Sequence, residues 1–173
     1  MNWSALAAWA EVAGALAVVA SVLYLAAQVR QGNVVARAAA QETLVSAFRN
    51  FTQPLAADAA LYRLFSTGVE DLDALDTVDR GRFFHLAFQF GKIIESAHYH
   101  WQHGLLDDGS WEAYRVGAAH FFHAPGWRRY WDLRAEAFSP AFRAFVAALP
   151  APARRATMST LAQLATSGPR DSA

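Results

Sequence analysis

The chain has 173 residues, no cysteine and a formal net charge of zero at neutral pH. The missing thiols exclude disulfides, thiolate catalysis and cysteine-based zinc sites, and the neutral balance offers nucleic acid little long-range attraction. If the first thirty or so residues are set apart, about 140 remain, enough for one ordinary domain with a single core.

The first element is the apolar run 5–28, interrupted only by Glu11 and small polar residues. Its 23 residues from 5 to 27 reach roughly 35 Å as a helix, against a bilayer hydrocarbon core of about 30 Å. The expectation is one transmembrane helix within residues 1–29. Neither Lys nor Arg precedes Glu11 and the run is long for a secretory leader, so cleavage is not expected. Trp3 and Trp9 at one end and Tyr24 at the other suit interfacial anchors, and Glu11 lies close enough to the end to reach headgroups. Arg30, Arg37 and Arg49 follow the run while no basic side chain precedes it, so the positive-inside bias sets the N-terminus outside and the rest in the cytosol. Ala13, Ala17 and Ser21 recur every fourth residue, a ridge of small side chains through which two such helices can pack as a homodimer.

Residues 30–150 read as a helical bundle domain. From 29 to 51 the pattern becomes amphipathic, with a break expected at Gly32-Asn33 and a stop at Pro54. Asp58 caps a short helix over 59–66 that Gly68 ends. An acidic connector holding Glu70, Asp71, Asp73 and Asp76 leads to the strongest helix, capped by Asp76 or Thr77 and running to about His103 before Gly104. Aromatic and aliphatic residues cover almost all its faces, which makes it the central helix of the core. A turn at 105–110 precedes a return helix over 111–123, Ala124-Pro125-Gly126 breaks the chain, and helices follow over 127–137 and 140–149, the latter opened by Ser139-Pro140. Residues 151–173 are expected to be a flexible tail. Strand alternation is absent throughout, so the fold class is all-α.

The succession YLAAQVRQGN, TVDRGRFFHLAFQ, GKIIESAHYHWQHGLLDDGSW and APGWRRYWDLRAEAFSPAFRAFV resembles a widespread group of small bacterial single-pass membrane-anchored helical proteins of uncharacterised function. The likeness covers about residues 9–146. It implies one span and a small helical domain in the bacterial inner membrane, and transfers neither an activity nor catalytic residues.

Two patterns bear on chemistry. Glu95 and His98 form E-x-x-H, and His120 and His123 form H-x-x-H, each pair sharing a helix face. In an antiparallel hairpin Glu95 stands opposite His120, half of a bundle-type metal site or simply a hydrogen bond within the hairpin. The complete di-iron set lacks its second E-x-x-H, with Glu42 and Glu112 the only spare glutamates near plausible helices. Trp127, Arg128, Arg129 and Trp131 interleave cations with aromatic rings, suited to an anionic membrane surface or to arginine packed on rings within the fold. No G-x-S-x-G or phosphate-cradling glycine loop occurs, so catalytic residues are not assigned and no cofactor is expected. The sequence therefore points to an accessory or interaction protein. Its expected partners are the lipid bilayer, a second copy of itself and another membrane protein, and not nucleic acid. A metal-dependent helical enzyme with a Glu/His site is the alternative.

Overall fold

The structure, a computed structural model, describes residues 3–153, and for residues 3–8, 10, 12, 13 and 15 the backbone alone. The described residues are all-helical in their regular structure. Six α-helices, α1 (Trp3–Ala57), α2 (Ala59–Glu70), α3 (Thr77–Gln102), α4 (Asp108–Phe122), α5 (Pro125–Arg134) and α6 (Pro140–Ala148), are accompanied by two 3-10 turns, Leu72–Ala74 and Ala135–Ala137. The chain divides into two compact units, Met1–Ala40 and Gln41–Ala173.

Within the first unit the apolar side chains of α1 turn outward. Leu16, Val18, Val19, Val22, Leu23 and Leu25 are 55–66% exposed. Among the described residues no helix is long and apolar enough to cross a membrane. The break expected at Gly32-Asn33 does not occur, and α1 runs through both residues. One glycine costs about 1 kcal/mol in a helix interior, and the helix-favouring alanines and arginines around it make that tolerable. Pro54 also lies inside α1, in its last turn, where the Asp58 N–H still donates to the Pro54 carbonyl at 3.0 Å.

The second unit is punctuated by carboxylates. The Asp58 side chain accepts from the Ala60 and Leu61 N–H groups at 2.7 and 3.1 Å. Asp76 accepts from Asp79 N–H at 2.8 Å and Asp107 from Ser110 N–H at 2.9 Å, each satisfying an orphan donor of the first turn. Pro125 and Pro140 open α5 and α6, where the missing N–H costs nothing. Gly104 ends the α3 segment with φ of +68°, a conformation that L side chains rarely adopt.

The core of this unit is aromatic and centred on α3, whose Phe83, Ala87, Phe90, Ile93, Ile94 and Ala97 are buried. Trp127 from α5 meets Phe83 edge-on at 6.4 Å and Phe90 at 5.3 Å between ring centroids. Phe142 of α6 lies 5.7 Å from Phe138 and 6.0 Å from Phe122. A smaller cluster at the α3–α4 turn joins Leu44, Ala97, Leu106 and Trp111. Glycines permit the tightest approaches. A Cβ on Gly126 would overlap the Gly68 carbonyl oxygen, and one on Gly91 would stand 2.7 Å from Cζ of Phe138. Gly68 therefore does not end α2, which runs to Glu70; its missing side chain admits the Phe83 ring of α3, while Gly126 lets α5 approach the α2 backbone.

Candidate functional site

An apolar groove in the second unit is made of two adjoining cavities of about 440 and 510 Å³. Both use Phe48 and Thr52 of α1, Phe90 of α3 and Phe121 of α4. The first continues past Leu55 to Tyr62, Phe65 and Val69, and the second past Val45 and Arg49 to Ala113, Tyr114 and Gly117. The groove exists because α4 offers small residues where α1 offers large ones. A Cβ added at Gly117 meets no atom within 4 Å.

The polar groups of this groove are mostly spent. Thr52 Oγ1 donates to the Phe48 carbonyl at 3.0 Å and Ser66 Oγ to the Tyr62 carbonyl at 2.8 Å, so neither hydroxyl needs a ligand. Burial pushes the Tyr114 phenol above its ordinary value, keeping it neutral. Arg49 is the single charged residue on the lining, and it forms no ion pair among the described residues. Cavities of this size and apolarity fall in the range of small-molecule sites.

The proposed Glu/His constellation is not assembled. Glu95 turns to α6, its Oε1 accepting from Ser139 N–H and its Oε2 from Lys92 Nζ, each at 2.6 Å. Burial opposes ionisation of Glu95, but the Lys92 ammonium and the Ser139 donors outweigh it and hold the carboxyl below its ordinary range. The same Lys92 ammonium donates to the Ala137 carbonyl at 2.9 Å, so the pair ties α3 to the start of α6. His98 is buried in an aromatic cage, its ring stacked on Phe145 at 4.9 Å and 5.4 Å from Trp111. Burial pushes its imidazole below the ordinary value, with the Glu95 charge working the other way. His123 caps α4 and places Nε2 3.0 Å from the Leu149 carbonyl, while His120 is half-buried on the same helix. Among the described residues no three His, Asp or Glu side chains converge to hold a metal. Both Glu95 oxygens are engaged in the α3–α6 contact.

A recess of about 600 Å³ beside Lys92, Glu95, His98, His103 and Ser139 is more polar. Its acid and base are already committed to one another.

The aromatic and basic segment separates by helix phase. Trp127 and Tyr130 are fully buried, and Trp131 is half-buried against Phe138 at 4.8 Å and Phe122 at 5.2 Å. Arg128 and Arg129 alone of the four expected surface residues are exposed, with Arg129 Nε 3.8 Å from Asp73. Trp127 therefore belongs to the core and not to a membrane surface. Burial pushes the Tyr130 phenol up to about 12, only partly offset by Arg134, and its hydroxyl has no hydrogen-bond partner among the described residues.

On the small-residue ridge, Ala17 and Ser21 are exposed and Ser21 Oγ donates back to the Ala17 carbonyl at 2.8 Å. The side chain of Ala13 lies outside the described residues, as does most of the tail expected over 151–173.

The groove was not visible in the sequence. Its one local signal is Ala113 and Gly117 on a single face of α4, which alanine-rich composition conceals. No protein-family model, curated protein or solved structure matches the chain.

Proposed function

We propose that this protein is a membrane-anchored accessory protein of the bacterial inner membrane, held by the segment 5–27, whose helical unit acts through protein or lipid contacts. The observation that carries the reading is the outward-facing apolar surface of α1 from Leu16 to Val29, where every large aliphatic side chain is more than half exposed. Water does not tolerate so continuous an apolar surface without a cover, and hydrocarbon is the cover that demands no partner on each helix face. The resemblance to small membrane-anchored helical proteins adds to this, as do the aromatic anchors Trp9 and Tyr24 at either end of the run. Arg30, Arg37 and Arg49 favour the orientation that leaves the helical unit in the cytosol.

Alkaline carbonate extraction of membranes from cells making the full chain tests the anchor. The protein is expected in the pellet, and its release into the supernatant would end the proposal. A cytosol-active reporter fused after Ala173 is expected to be active and a periplasm-active one silent; the opposite pattern would reverse the orientation.

A further inference from the structure

We propose that the groove of the second unit binds a single-chain fatty carboxylate, its acyl chain lying across Phe48, Phe90 and Phe121 and its head group at Arg49. Three observations select this ligand. The half of the groove reaching Leu55 and Val69 has no charged lining residue, and its Ser66 hydroxyl is already bonded to backbone, so whatever lies there is apolar. The other half carries one charge, Arg49, and no carboxylate, so the ligand's polar end is anionic and at that end. The two halves adjoin through four shared side chains, forming a track that follows α1 from Val45 to Ala56, a rise of roughly 16 Å. A long apolar track whose single cation, Arg49, lies in its Val45 half is complementary to an amphiphile with one tail and one anionic head.

This inference concerns a site within residues 45–121 and does not depend on whether the segment 5–27 spans a bilayer. Either proposal can fail while the other stands.

The test uses the purified full-length chain, in phosphatidylcholine nanodiscs if it extracts with membranes and in buffer if it does not, with a diazirine-bearing palmitate, the adducts being located by peptide mass spectrometry. Saturable labelling is expected on peptides containing Phe48 to Ala56 and Tyr114 to Phe121, competed by palmitate. Gly117→Leu adds a side chain into open space and should lower labelling at least tenfold without lowering the melting temperature. Ala113→Leu should act in the same direction. Arg49→Gln should raise the palmitate concentration for half-maximal competition several-fold and abolish the preference for palmitate over hexadecanol. Non-saturable labelling, or labelling unchanged by both filling variants, would overturn the proposal. So would stronger labelling of the same peptides by diazirine-bearing phosphatidylcholine, which would assign the groove to bilayer lipid, or cross-links showing a second copy seated in it.

Discussion

Gly126 stands so close to Gly68 that no side chain fits between α5 and the backbone of α2. A Cβ at position 126 would overlap the Gly68 carbonyl oxygen and also stand 2.9 Å from the Leu72 nitrogen and 3.0 Å from the Val69 carbonyl oxygen. These are backbone atoms, which cannot rotate aside as a side chain can.

Gly126→Ala is therefore expected to destabilise the second unit by about 3 kcal/mol, at the upper end of overpacking costs. Gly81→Ala is the internal comparison, since it is helical, exposed and open around its Cβ position. It should stabilise by about 0.5–1 kcal/mol through helix propensity. Chemical denaturation of the two variants measures both, and equal behaviour would refute the close approach.

The acid sensitivity of the fold should depend on His98. Its folded imidazole titrates below the ordinary value of 6.5, so just below that pH the unfolded chain binds the proton that the folded chain refuses. Stability then falls as pH drops from 6.5 towards the depressed folded value, and is constant with respect to this group above 6.5. His98→Phe keeps a flat ring in the cage and should flatten the stability profile in that window. A wild-type slope retained by the variant would assign the effect to another group.

The two halves of the Trp127 to Trp131 segment should behave oppositely. Trp127→Ala removes a fully buried indole and is expected to cost about 3–5 kcal/mol. Arg128→Ala, at an exposed position, should change stability by no more than about 0.5 kcal/mol. Thermal melts of the purified full-length chain distinguish these outcomes, and a mild Trp127→Ala would return that residue to the surface.

Tyr130→Phe is expected to be neutral or stabilising by up to about 1 kcal/mol, because the buried hydroxyl lies near Arg134 without a hydrogen bond of good geometry. A loss above 1 kcal/mol would reveal a hydrogen bond that the hydroxyl makes.

The legible parts of this fold were those written in local chemistry. Asp76 and Gly104 bracket α3, and Ser139-Pro140 opens α6, because caps and left-handed turns depend on a few adjacent residues. Glycine was harder to read, since the same residue can stop a helix or admit a neighbour. Gly68 does the second and Gly32 does neither. The alternation of Trp and Arg after Pro125 does not disclose helix phase, so Trp127 looked like a surface anchor until α3 was seen against it. Glu95 and Ser139 are 44 residues apart, and their bond follows from how α3 and α6 pack, which no spacing rule contains. The groove was least legible because it is a volume left by small side chains.

The stacked indoles of Trp101 and Trp111 give the α3–α4 turn an optical signature. Their rings lie 5.4 Å apart and 17° from parallel, and Trp101 Nε1 is held by Asp108 at 2.8 Å. Two stacked, nearly parallel indoles at this separation couple their electronic transitions, so this corner of the protein is expected to contribute its own near-ultraviolet dichroism. Leu44 of α1 and Phe145 of α6 belong to the same small cluster. The signal is thus expected to report the joint fastening of four helices, α1, α3, α4 and α6, without a label being added.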